Sequence, residues 1–223
     1  MKTRNILFIV ALICFFSFNV FAQAVKSTSK ASPGISGKTK VKITTDMGDI
    51  VVMLYDATPK HRDNFIKLVN EGFYTNLLFH RIIQGFMIQG GDPLSKDAAA
   101  GTPLGMGGGD MERIPAEFDQ NLIHKKGALA AARDGNPEKA SSACQFYIVQ
   151  GQPVSEDQLG PQYTPTQKNM YKTIGGTPFL DMNYTVFGEV VSGLNVVDKI
   201  AAAEKDAGDR PKKDIHMSMQ LLK

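Results

Sequence analysis

The sequence predicts a mainly β domain, folded as a closed antiparallel β-barrel with its ends plugged by two α-helices. Two observations predict it. From residue 41 onward the chain breaks into many short runs rich in β-formers, punctuated by Gly, Pro, Asp and Asn. Only two well-separated segments carry a helical period, and each has one apolar stripe to bury.

The elements follow in order. Residues 41–45 and 50–55 are strands, joined by Asp46-Met47-Gly48-Asp49 as a short hairpin connection. Thr58-Pro59 reads as N-cap and first helical residue. Phe65, Leu68 and Val69 follow at helical spacing, and Gly72 is a suitable terminator, which sets a helix over 59–71. Strands are expected at 78–83 and 86–89. Residues 92–110, rich in Gly, Ala and Pro, form a long surface loop. Further strands fall at 128–132 and 145–149. Residues 152–177 are polar and without a clear period, and read as an extended loop or insertion. A strand at 186–190 and a helix at 194–203 precede a last strand at 215–222. There, period two puts Ile215, Met217, Met219 and Leu221 on one face.

The N-terminus has a different character. Lys2 and Arg4 precede an apolar run from Ile6 to Phe18, and small residues follow at Ala22 and Ala24. These are the marks of a secretory signal peptide over residues 1–22, cut after Ala22. The run is short for a membrane span, which needs about 20 apolar residues. An uncleaved anchor is the alternative, since Val20 and Phe21 lengthen the run. Cys14 lies inside the run and follows Ile13, which is not the setting of a lipid-modified cysteine. Residues 23–40, rich in Ser, Thr, Lys and Gly, read as a flexible tether. Its Gly37-Lys38-Thr39 only approaches a phosphate loop, because Ser32 stands where that pattern needs glycine. Export, with a periplasmic destination, is the expected localisation; a membrane anchor or the outside medium are the alternatives.

Loss of the signal leaves one cysteine, Cys144, and hence no internal disulfide. The core alone must hold the domain, and its length suffices. The net charge is +3, of which Lys2 and Arg4 supply two, so the mature chain sits near +1. That balance offers no electrostatic argument for nucleic acid or an anionic membrane.

The run Phe79-His80-Arg81-Ile82-Ile83-Gln84-Gly85-Phe86-Met87-Ile88-Gln89-Gly90-Gly91-Asp92 closely resembles the signature of cyclophilins. Further pieces resemble that family in order: Gly105 to Gly109, Ile114 to Phe118, Cys144 to Ile148, and Val186 to Val190. The resemblance covers residues 41–223. It implies an eight-stranded barrel capped by two helices, peptidyl-prolyl cis/trans isomerase activity, no cofactor and no metal. The implied partners are proline-containing segments of exported proteins, and a monomer is expected.

Rotation about a peptide bond faces a barrier of about 18–20 kcal/mol. Before proline the cis form lies only about 0.5–1 kcal/mol uphill, so the obstacle is kinetic. Such a catalyst needs no nucleophile; it must bind the twisted amide better than either planar form. Twisting localises a lone pair on the prolyl nitrogen, which a fixed cationic donor beside it favours. Arg81 takes that role by resemblance, with Phe86 and Gln89 as its catalytic neighbours. Met87, Tyr147, Phe179 and Leu180 are assigned by the same resemblance to the apolar proline pocket. Gln89 and Gln145 are the polar anchors for the substrate backbone, and Ala132, Arg133 and Tyr184 complete the set. Period two joins Gln145 with Tyr147 and Met87 with Gln89, but Phe86 joins them only if the chain bends near Gly85.

Three positions depart from the eukaryotic pattern. Phe179 stands for tryptophan, which implies weak cyclosporin binding. Tyr184 stands for histidine, and Arg133 for asparagine. His61, His80, His124 and His216 are too scattered for a metal site, and His80 is read as structural, facing away from Arg81. Two competing readings remain: a proline-binding module or holding chaperone without turnover, and a Cys144 thiol hydrolase.

Overall fold

The computed structural model describes residues 37–223. The expected signal peptide, its cut after Ala22 and most of the tether lie outside the described residues. Eight strands are described: β1 (Lys40–Thr45), β2 (Gly48–Leu54), β3 (Leu77–Ile83), β4 (Met87–Gly90), β5 (Ala128–Ala131), β6 (Phe146–Val149), β7 (Val186–Ser192) and β8 (His216–Leu222). All pair antiparallel and close in the order β1-β2-β7-β5-β6-β4-β3-β8. The helices are α1 (Pro59–Asn70), α2 (Pro165–Thr173) and α3 (Leu194–Ala201).

A barrel wall is one residue thick, so alternate side chains serve two different cores. Ile43, Ile50, Val52, Phe79, Ile88, Leu129, Phe146 and Ile148 fill the interior. Phe65, Leu68 and Val69 of α1 and Val196, Val197 and Ile200 of α3 join them, so both stripes are buried as expected. On the wall's outer side a second cluster gathers Met87, Ala128, Ala130, Tyr147 and Val149 beneath the loops.

Helix α1 starts differently from the expectation. Thr58 is the N-cap by position, but its hydroxyl is buried without a partner. Glu117 does the capping from across the fold. Its carboxylate accepts the N–H groups of Lys60 and His61 at 3.0 Å each, and the His61 ring bonds to it at 2.7 Å. A carboxylate at this end also faces the positive pole of the helix. The other end closes as read. Gly72 has φ 69°, and Phe73 N–H reaches back to the Leu68 carbonyl at 3.0 Å.

Helix α2 lies inside the segment expected to be a loop. Thr164 accepts the Gln167 N–H at 3.3 Å, and the Gln167 side chain accepts the Thr164 N–H at 2.9 Å, with Pro165 at the first helical position. The helix is short and presents one fully buried side chain, Tyr171, so no apolar period announces it. Tyr171 packs with Ile123 and Leu159 in a third, small cluster.

Strand β3 carries a bulge between Phe79 and Arg81, and His80 is the extra residue. Strict alternation, and with it the reading that His80 simply faces away from Arg81, fails here. Its ring lies under the glycine loop, against Gly105. Only 3 % of His80 is exposed and neither ring nitrogen has a hydrogen-bond partner. Burial lowers its pKa from 6.5 to about 4; nearby Asp92 opposes the shift, while Arg81 and Arg210 add to it. Between those values the unfolded chain binds a proton that the native ring refuses. Stability is therefore full above the unfolded value and is lost as pH falls towards the folded one. Denaturant titrations should show a loss of about 2 kcal/mol between about pH 7 and about pH 5. His80→Gln should remove most of that slope, leaving the smaller, like-signed share of buried His61, whose pKa is also lowered chiefly by burial. An unchanged slope in the variant would clear His80 as its source.

Candidate active site

The outward side chains of β3, β4 and β6 meet loop residues over one slot of about 120 Å³. Arg81, Phe86, Met87, Gln89, Ala132, Arg133, Tyr147, Leu180 and Tyr184 line it. All nine were candidate site residues; Gln145 and Phe179 are the two that do not line it. Phe86 gets there because β4 starts one residue later than expected. Gly85 has φ 79°, so Phe86 sits in the turn and escapes the alternation of the strand. Gln150 fixes that turn. Its side chain accepts the Gly85 N–H at 2.6 Å, and the N–H groups of Gln150 and Gly151 both donate to the Phe86 carbonyl.

Arg81 stands at the polar edge. Its Nη1 donates to Gln89 Oε1 at 3.4 Å, and its Nε lies 3.7 Å from Asp209 Oδ2. Both contacts are long, the side chain is 41 % exposed, and most of its five donors are unengaged. Asp209, with φ 65°, is held by Lys205 at 2.6 Å, and its carbonyl accepts the Ile82 N–H.

Gln145 is committed elsewhere. Its amide nitrogen donates to the carbonyls of Gly105 and Gly107 at 3.0 and 2.9 Å, and its oxygen accepts from Gln89 at 3.1 Å. Both donors are occupied, so Gln145 orients Gln89 and ties down the glycine loop; as a substrate anchor it retains only part of its oxygen. It borders an adjacent cavity of about 400 Å³ under that loop, lined also by Arg113, Asp134 and Ser142. Arg133 closes the opposite edge. Its Nε donates to the Asn183 carbonyl at 2.9 Å, and its guanidinium lies 4.7 Å over the Tyr184 ring.

The apolar wall has a buried polar backing. Tyr147 packs edge-on against Tyr184, and its hydroxyl is 2.9 Å from His124 Nε2. His124 Nδ1 and its backbone N–H both reach Asp181 Oδ1, at 2.7 and 2.8 Å. Asp181 Oδ2 accepts from Tyr163 at 2.9 Å and Tyr171 at 2.5 Å. The Tyr147 hydroxyl is thus turned towards His124 and away from the slot. Burial holds that phenol well above the usual tyrosine range, hence neutral.

Phe179 stands apart. It is 67 % exposed and meets the slot only by leaning on Phe86, ring centroids 5.7 Å apart. Cys144 is buried, its thiol pushed up by burial, and its sulfur lies 3.8 Å from Ser142 Oγ. A buried, neutral thiol is a poor nucleophile.

Sequence reasoning missed Asp209, Gln150, His124 and Asp181. The first two lack any local signal. A buried His beside a slot tyrosine is visible only once the strands are paired.

Comparison with known proteins identifies the family. The family model described as cyclophilin type peptidyl-prolyl cis-trans isomerase/CLD matches residues 40–220. A Staphylococcus aureus protein named as a peptidyl-prolyl cis-trans isomerase is 34 % identical over 186 residues, covering 80 % of this chain and 89 % of that protein. A Streptococcus pyogenes protein named as a bifunctional phosphatase/peptidyl-prolyl cis-trans isomerase is 41 % identical over 184 residues, 79 % of this chain. The match spans only 37 % of that longer relative. In fold, the chain resembles the crystal structure of a Cryptosporidium parvum cyclophilin type isomerase, with TM-score 0.65 and 24 % identity over 83 % of this chain and 98 % of that one. A second structure of that parasite protein, in the presence of the dipeptide Ala-Pro, aligns with TM-score 0.62 and 23 % identity, over 82 % of this chain and 99 % of that one. The barrel, the signature strand and these relatives together make this chain a member of the cyclophilin-type peptidyl-prolyl cis-trans isomerase family.

Proposed function

We propose that the slot takes the proline ring of an Xaa-Pro segment and that Arg81 stabilises the amide as it twists. The observation that carries this reading is the contrast along the slot: its walls are Phe86, Met87, Leu180 and Tyr147, while a guanidinium with unengaged donors stands at its edge. A planar amide shares its nitrogen lone pair with the carbonyl and offers that guanidinium little. A twisted one has a localised lone pair that accepts a hydrogen bond, so binding is strongest midway through rotation. Lowering the barrier by about 7 kcal/mol corresponds to roughly 10⁵-fold acceleration. Gln89, held by Gln145, is the polar anchor for the peptide backbone. No bond is made or broken in the enzyme, and the neutral phenols and buried thiol take no part.

Its clients are flexible Xaa-Pro segments of exported proteins, acted on in the periplasm by a monomer; the N-terminal basic and apolar pattern supports that reading.

Arg81→Ala should lower kcat/KM for a proline-peptide exchange assay by about 10²–10³-fold, mostly through kcat. Arg81→Lys should recover part of it, because a point charge replaces a rigid fork. Wild-type rates in a folded Arg81→Ala protein would sink the mechanism. Negligible exchange in both proteins, with peptide still bound, would instead favour a binding module.

Phe179 has no N–H to donate, and its ring stands largely in solvent. Cyclosporin should therefore bind weakly, and Phe179→Trp should tighten it by about tenfold in a fluorescence titration. Equal affinity in the two proteins would refute this.

A further inference from the structure

A third cavity, of about 560 Å³, lies beside the proposed proline slot and is lined largely by the 152–177 segment. Gly85, Gln152, Val154, Gln158, Tyr163 and Phe179 are among its walls. It shares a partition with the slot at two places. Gly85 and Phe179 face the groove, while their chain neighbours Phe86 and Leu180 face the slot. The Phe86–Phe179 ring pair, with centroids 5.7 Å apart, is that partition.

The groove is rigidly set against the slot. Its base closes where Gly176 N–H donates to the Gln152 carbonyl at 3.1 Å and Lys126 N–H to that of Gly175 at 2.9 Å. Its far wall is held by Tyr163, whose hydroxyl reaches both Asp181 and the Pro178 carbonyl, at 2.9 and 3.0 Å. The side-chain amides of Gln152 and Gln158 make no hydrogen bond among the described residues. A side-chain amide both donates and accepts, which matches a peptide backbone; the neighbouring Val154, Pro153 and Phe179 supply apolar contact.

From this we infer that the 152–177 segment builds an extended subsite for the substrate polypeptide, which receives the residues flanking the proline after they cross Phe179. The inference rests on the proline-slot reading. It implies that the domain prefers proline within long unfolded chain over proline in short peptides, and that Gln152 and Gln158 act on binding and leave the chemistry alone.

The test uses the full chain, a four-residue proline peptide, and a peptide extended by six residues on each side of the same core. Exchange rates and dissociation constants are measured for both. The longer peptide should bind about tenfold more tightly and show a correspondingly lower KM at equal kcat. Gln152→Ala/Gln158→Ala should abolish that advantage and leave the short peptide within twofold of wild type. Val154→Trp, which fills the groove while keeping both glutamines, should do the same. Equal affinity of the two peptides for wild type, or a length advantage that survives both variants, overturns the subsite. The dissociation constants decide this even if neither peptide is turned over, a result that would count against the isomerase mechanism alone.

Discussion

Leu77, Phe79 and Ile82 all point into the barrel interior. Strict alternation along β3 forbids that: a strand that turns Leu77 and Phe79 inward would turn Arg81 inward too. The bulge at His80 resolves the conflict by adding one residue, so Phe79 and Ile82 stay in the core while Arg81 and Ile83 face out. Without it, either an arginine would enter a dry core, at a cost of several kcal/mol, or the inner packing of β3 would be lost. The proposed catalytic cation is thus placed by a register defect. Its by-product is a buried imidazole without hydrogen bonds, tolerated because the ring remains neutral.

The same wall explains why the slot is on the outside. Ile88, Leu129, Phe146 and Ile148 fill the interior side of β4, β5 and β6 and pack to near-complete burial, whereas β5 shows Ala128 and Ala130 to the outer face. Small residues there leave room for Met87 and Tyr147 beneath the loops. Arg81 is held at that edge by two long contacts. A tight, bidentate pair with Asp209 would place it better but would engage the donors that the proposed mechanism assigns to the twisted amide. An exposed pair of this length adds little stability, so a substrate displaces little when it binds.

Much of this was legible in the chain. Alternation in β6 and β8, the glycine end of α1, and nine of eleven candidate residues at one slot, four of them from the signature run, all follow from local pattern and resemblance. Three things were not legible, each for a physical reason. Glu117 caps α1 from a segment with no sequential relation to it, and the adjacent Thr58 looked sufficient. Helix α2 is too short to show a period, although Thr164-Pro165-Thr166-Gln167 carries the capping pattern that starts it. The resemblance assigns Phe179 to the pocket, but the turn at Pro178–Leu180 directs Leu180 inward and leaves Phe179 in solvent.

Asp181 joins these observations. Four donors meet its carboxylate: two from His124, one from Tyr163 and one from Tyr171. That fills the acceptor sites a carboxylate has, which offsets the cost of covering its charge. Its partners belong to three different parts of the molecule: the segment before β5, the approach to α2, and α2 itself. Through His124 it also fixes Tyr147, and along the chain it follows Leu180. A shift of the 152–177 segment would therefore strip donors from Asp181, loosen the backing of the slot wall and move the turn that bears Leu180. A segment attached only at its ends could act as a free lid. One bonded through two phenols to the carboxylate behind the slot is part of the wall, so the segment and the slot share one support.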